Sequence, residues 1–324
     1  MHKTIKGARA MPAHITHSLF GAAVLDTGIC EYFEKGASVC GYPLDCTAFE
    51  WGLQGPDLLF FALLAGSRRL PRYGIVMHQD KTSSLFLKLQ QYAISIKDTP
   101  DFKAVFSYTL GFCCHYVLDK NCHPYVYWLQ TEMERQNPRL HSIHHKIESD
   151  IDCIIVKRRL GISAKEFRFP AAVMQDNTVC EPISKLYANL LYVLYNITVQ
   201  PKEIRRSFIG ARRYFRFIVD RMGIGYAAKA VDAIIGKKRI VYHLLRAKCY
   251  DTTVMNDDHR PWVSLSRPEI TRTESFEDLF EHSVREASEL MGRMASHILN
   301  DIPGHVVAGD SFDNGSPRHS RLIE

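Results

Sequence analysis

Apolar positions along this chain recur mostly at helical spacing, and the strict alternation of a half-buried strand is rare. The clearest case lies over 276–299, where Phe276, Leu279, Phe280, Val284, Ala287, Leu290, Met291 and Met294 fall on one face. The pattern predicts helices over 16–26, 45–65, 80–96, 101–119, 138–160, 182–198, 202–222, 225–249 and 275–300. Punctuation supports several ends: Gly66 follows the run 58–65, Ser163 precedes AKEFRF, and Pro201 opens KEIRRSF. The expected fold class is all-α. From Pro303 the chain turns polar and rich in turn residues, so a flexible tail is expected there.

Composition refines this picture. Hydrophobic residues make up 46% and charged residues 23% of the 324 positions, the profile of a folded domain. The longest apolar run, LLFFALLAG (58–66), is far short of the roughly 20 residues that cross a bilayer. The start, MHKTIKGARA followed by MPAHITHSLFG, lacks the unbroken apolar core of a signal peptide, which predicts a cytoplasmic protein. Nine scattered cysteines without a CxxC pair indicate neither a disulfide framework nor a zinc ribbon. The expected organisation is one helical domain over 11–250, a helical extension over 251–301 packed on it, and flexible termini at 1–10 and 302–324.

Charge is uneven. Residues 201–250 carry thirteen Lys/Arg against three Asp/Glu, a local +10, while 251–301 carry five against eleven, a local −6. Within the basic stretch, segment 204–248 is a solvated or intramolecular face, or a peripheral contact for an anionic membrane.

The chemistry concentrates in the first half, where nine of fifteen histidines precede residue 146. HYVLDKNCHP (115–124) sets His115, Asp119 and His123 four residues apart, so on a helix all three share one side. HSIHHKIESDID (141–152) repeats the device with His144 and Glu148. THSLFG holds His17, GLQGPDLLFF holds Asp57, and VMHQD holds His78. His14 is the rival to His17. Taken singly, each has an ordinary explanation: a surface pair, a helix cap or a packed core histidine. Together they supply the imidazole and carboxylate donors that zinc prefers. His115 and Asp119 moreover lie in an apolar segment, where an uncompensated carboxylate would be costly. Cys113, Cys114 and Cys122 nearby read as packing residues.

These motifs resemble the zinc-dependent phospholipase C family, in particular its shorter bacterial members without a signal peptide. The resemblance rests on MPAHITHSLFG, GLQGPDLLFF, the Met-His at 77–78, GFCCHYVLDKNCHPY and HHKIESDID, and covers 11–152. MNDDHRPW and ESFEDLFEHSVREA resemble the C-terminal part of the same subgroup more weakly. The family's fold and metal cluster are similar to those of single-strand-specific zinc nucleases. The resemblance implies two to three zinc ions. Asp57, His78, His115 and Asp119 would hold the first, and His123, His144 and Glu148 the second. His17 would hold the third with Asp119 as bridge, and Met11 before Pro12 marks an alternative start that would bring an amine close to His17. Asp57 is implied as the catalytic residue that orients or deprotonates the attacking water. Read from the residues alone, His115, His123 and His144 are expected to donate their second ring nitrogens to outer-shell acceptors; Asp150 and Asp152 are candidates for these or, equally, surface carboxylates of a helix face. The implied function is hydrolysis of a phosphodiester, most simply a phospholipid, by metal-activated hydroxide. Leu58 stands where a choline-selective member has an aromatic residue. Two alternatives remain open: hydrolysis of nucleotides or single-stranded nucleic acid on the same cluster, and a non-catalytic, metal-stabilised helical binding protein. No stable nucleic-acid partner is expected. Tyr125, Tyr127 and Trp128 either wall the pocket or pack. The absence of any His-Asp dipeptide argues against the other large class of helical metal phosphohydrolases.

Overall fold

Buried apolar side chains from nearly every helix merge into one core around a single long helix. The computed structural model describes residues 14–138, 143–169, 177–217, 250–309 and 311–312. Helices α1 (His14–Val24), α2 (Ile29–Glu34) and α3 (Cys46–Gly52) are followed by a 3-10 helix (Gly55–Ala65). Then come α4 (Leu70–Gln79), α5 (Thr82–Ser95), α6 (Phe102–Gln136), α7 (Ile143–Leu160), α8 (Asn177–Tyr195), α9 (Pro201–Phe217) and α10 (Phe276–Leu299). Two small antiparallel pairs, β1 (Ser38–Val39) with β2 (Tyr42–Pro43) and β3 (Trp262–Ser264) with β4 (Arg267–Arg272), are the strands among the described residues. The fold is all-α. The expected helix 225–249, the last residues of the one over 202–222 and most of segment 204–248 lie outside the described residues.

Helix α6 spans 35 residues, about 50 Å at 1.5 Å per residue, and is buried over most of its length. It runs well past the expected end at 119 and carries Pro124 inside it. The ring removes one backbone hydrogen bond. The buried neighbours His123, Tyr125 and Val126 hold the helix together nonetheless. His115, Asp119 and His123 therefore share one face of one continuous helix.

Helix α3 crosses α6 at Gly52 and Gly111, where the backbones nearly touch: a Cβ on either residue would collide with a carbonyl oxygen of the other helix. The chain then breaks at Gln54–Gly55, so the expected helix 45–65 is in fact two. Gly55 adopts φ +48°, a conformation that glycine takes without strain. Its Cβ position would strike the His115 ring. The Gly55 carbonyl accepts from Tyr187 at 2.6 Å and Tyr108 at 3.3 Å. Pro56 then starts the 3-10 helix, with Asp57 in its first turn, and Gly66 closes it in the left-handed conformation.

Helix α1 is capped from a distance. The buried Asp152 carboxylate of α7 accepts from the Ile15 and Thr16 amides and from the Thr16 hydroxyl, at 3.3, 2.8 and 2.8 Å. It thus satisfies free amide donors of the first helical turn, immediately before His17. Helix α10 begins with the capping box of Ser275 and Asp278 and buries the apolar stripe read from the sequence. After Ser163 the chain makes only a turn, in which Ser163 donates to Glu166.

Gly111→Ala is expected to force α3 and α6 apart and lower unfolding free energy by about 1–3 kcal/mol. Thermal denaturation reads this directly, and an unchanged midpoint would contradict the close crossing.

Candidate metal centre

All eight residues singled out from sequence converge at the middle of the bundle. His17 comes from α1, Asp57 from the 3-10 helix, His78 from the last turn of α4, His115, Asp119 and His123 from α6, and His144 and Glu148 from α7. Seven of them are buried, and His144 is the most accessible, with 18% of its side chain exposed.

Asp119 sits at the hub. Its Oδ1 lies 3.2 Å from His17 Nε2 and 3.9 Å from His123 Nε2. Its Oδ2 lies 3.2 Å from His115 Nε2 and 3.9 Å from His78 Nε2. Asp57 Oδ1 is 3.2 Å from His78 Nε2. Glu148 Oε1 is 2.9 Å from His144 Nε2 and 3.8 Å from His123 Nε2. Three groups have donor atoms all within 4.8 Å of one another: Asp57, His78 and His115; His17, His115 and Asp119; His123, His144 and Glu148. His115 belongs to two of them. His14 joins none; its Nδ1 meets Gln54 Oε1 at 2.6 Å and its ring packs on Phe61, Tyr214 and Phe215.

Electrostatics follow from burial and proximity. Burial pushes the Asp119 carboxyl up, but the His115 and His123 imidazoles outweigh it and hold the group well below the usual carboxylate range. Glu148 behaves alike, raised by burial and held low by His144, His123 and His145. Burial pushes His115 down, favouring the neutral imidazole that can coordinate a metal.

The residues fit a zinc cluster on their own chemistry. Asp57 Oδ2, Asp119 Oδ2, Glu148 Oε2 and His115 Nε2 are buried without a hydrogen-bond partner. Such orphaned atoms are costly unless something meets them. Zinc–ligand distances of about 2.0–2.1 Å place tetrahedral donors about 3.3 Å apart, close to the 3.2 Å spacings found here.

Outer-shell contacts orient the rings, as expected, but the acceptors themselves were not legible in the sequence. His78 Nδ1 meets the Gly74 carbonyl at 2.7 Å, His115 Nδ1 the Leu53 carbonyl at 3.2 Å, and His123 Nδ1 the Phe312 carbonyl at 3.1 Å. His144 Nδ1 meets Gln130 Oε1 at 3.2 Å. In each case Nε2 is left to face the cluster. Asp150 and Asp152 do not serve as these acceptors. Asp152 caps α1, and Asp150 pairs with Lys146 and accepts from the Asp251 amide. The Phe312 contact also departs from the expected flexible tail, because Phe312 is fully buried. Tyr127 lies against His123 and His144, with ring centroids 5.4 and 5.0 Å away. Tyr125 and Trp128 pack on Trp262 instead. Cys113, Cys114 and Cys122 are buried free thiols, none of them in a donor group. Next to His17, Ser18 and Tyr32 both donate to the fully buried Glu50, whose carboxyl burial pushes up. No sequence pattern flagged that cluster.

A helical bundle whose buried centre offers clustered imidazole and carboxylate donors has the makings of a helical zinc protein. Comparison with known families makes this specific. Residues 16–197 match the family described as zinc dependent phospholipase C, more than half of the 324 residues, and the chain belongs to that family. No curated protein and no solved structure matches it. Among the described residues no helix is long and apolar enough to cross a membrane.

Zinc added to chelator-stripped protein should raise the thermal midpoint, by an amount equivalent to about 2.7 kcal/mol at a hundredfold excess over Kd. Absence of any shift would contradict a metal-binding centre.

Proposed function

We propose that this protein is a zinc-dependent phosphodiesterase of the phospholipase C type, with two to three zinc ions per chain. The observation that carries the reading is Asp119, one buried carboxylate within 3.9 Å of four imidazoles. A hub of this kind suits a carboxylate bridging neighbouring ions. His123, His144 and Glu148 would hold one ion; Asp57, His78 and His115 a second with Asp119; His17 a third through Asp119. Bound zinc supplies Lewis acidity for the phosphoryl oxygens and brings the pKa of water at the site to about 7. Asp57 keeps one carboxylate oxygen without a hydrogen-bond partner, which leaves it able to orient the attacking water and take its proton. The carbonyl-held imidazoles keep their Nε2 atoms in place as charge develops. Tyr127 and the partly exposed edge at His144 mark the side from which substrate reaches the centre.

A phospholipid substrate is favoured by one surface. Leu63 and Leu64, at the far end of the Asp57-bearing 3-10 helix, are each 45% exposed, and Ile209 on the adjoining α9 is 40% exposed. Exposed Arg213 of α9 donates to the Leu64 carbonyl at 2.8 Å, and exposed Arg68, Arg69 and Arg72 follow the tip closely in sequence. An apolar tip with basic neighbours suits an anionic bilayer surface.

Purified protein should hydrolyse bis-p-nitrophenyl phosphate, lose the activity with EDTA and regain it with zinc. Asp57→Asn should lower turnover at least a hundredfold while keeping more of the zinc than Asp119→Asn, which removes the shared carboxylate and should lose both. Metal binding with no hydrolysis of any phosphodiester, nucleotides included, would favour a non-catalytic binding protein. Replacing Leu63 and Leu64 together by Ser should slow hydrolysis of phospholipid in anionic vesicles and leave the soluble substrate unaffected. Equal effects on both would refute the membrane-facing tip.

A further inference from the structure

Beyond the end of α10, the chain returns along α5 and at residues 311–312 reaches the metal centre. Two side chains of α5, Ser83 and Gln90, seven residues apart and so on one helix face, hold it together with Lys97 in the turn just past the helix end. Lys97 Nζ donates to the Leu299 carbonyl at 2.7 Å and to the Asp301 carboxylate at 2.8 and 2.9 Å. The fully buried Gln90 pairs with the Gly304 backbone twice, accepting from its amide at 2.9 Å and donating to its carbonyl at 3.0 Å. Ser83 bonds His305 at 2.7 Å.

The strap then reaches α4. The Ser311 hydroxyl and the Phe312 amide both donate to the His78 carbonyl, at 2.7 and 3.2 Å. The Phe312 ring fills a socket between α4, α5 and α6, with centroids 4.8 Å from Tyr116, 5.2 Å from His78, and 5.9 Å from both Phe112 and His115. Its carbonyl accepts from His123 Nδ1 at 3.1 Å. A single residue thus meets three of the imidazoles, and at His123 it does so through Nδ1, which leaves Nε2 for the carboxylates.

We propose that residues 303–309 with Ser311 and Phe312 form a positioning element of the metal centre, in which Phe312 fixes His123 through its carbonyl and His78 and His115 through its ring. This rests on the zinc-centre reading above. Phe312 fixes which His123 nitrogen carries the proton, directing Nε2 toward Glu148 and Asp119. Without the strap, His123 loses its acceptor and the two other rings lose a wall. Outer-shell losses of this type typically weaken metal binding by about 10–100-fold.

Zinc affinity and stoichiometry, measured by competition with a chromogenic chelator, test this without reference to activity. A chain ending at Ile302 should bind zinc about 10–100-fold more weakly than the full chain, and a synthetic peptide of residues 303–312 added in trans should restore affinity. In the full-length protein Phe312→Ala should weaken binding and Phe312→Leu should recover most of it. If the shortened chain does not fold, judged by circular dichroism, the Phe312 pair decides alone. Full-length protein that binds no zinc would overturn the metal centre itself. Wild-type affinity in the shortened chain or in Phe312→Ala would overturn only the strap.

Discussion

A carboxylate buried among imidazoles is the constraint around which this molecule is arranged. Asp119 is 3% exposed, and at that depth its charge must be compensated by its neighbours. His115 and His123 come from its own helix, but His17 and His78 arrive on α1 and α4, so those elements must be placed to within fractions of an ångström. The placement is visible in the packing. Helix α3 can approach α6 only because Gly52 and Gly111 carry no side chains, and that approach brings the Leu53 carbonyl to His115. The positive φ of Gly55 turns the chain so that Asp57 faces inward. Asp152 caps α1 and so sets where His17 enters.

The orienting contacts share a logic. Three of the four imidazoles with known acceptors use backbone carbonyls, one inside a helix at Gly74 and two at chain turns, Leu53 and Phe312. A backbone acceptor holds the Nδ1 proton, leaves Nε2 toward the cluster, and adds no charge to a centre already dense in carboxylates. Asp57, Asp119 and Glu148 are then free to balance divalent ions.

Much of this was legible in the sequence, for reasons that can be named. The four-residue spacing of His115, Asp119 and His123, and of His144 and Glu148, survives folding because both sets sit on unbroken helices. Local motifs likewise carried His17, Asp57 and His78. Contacts between distant segments were not legible. Helix α4, which bears His78, is ten residues long with a proline near its start, and its pattern was too short to read. The break at Gly55 is set by Tyr108, Tyr187 and His115, residues 53 to 132 positions away. The strap looked like an unfolded tail because its composition is polar, yet Lys97, Gln90 and Ser83 each offer it a hydrogen bond. Backbone acceptors leave no trace in side-chain patterns.

The most direct test of the central claim is zinc K-edge X-ray absorption on the loaded protein. Clusters built as described give a first shell of nitrogen and oxygen only, at about 2.0–2.2 Å, with scattering from histidine rings. A sulfur shell near about 2.3 Å would place the metal on cysteine instead and contradict the account.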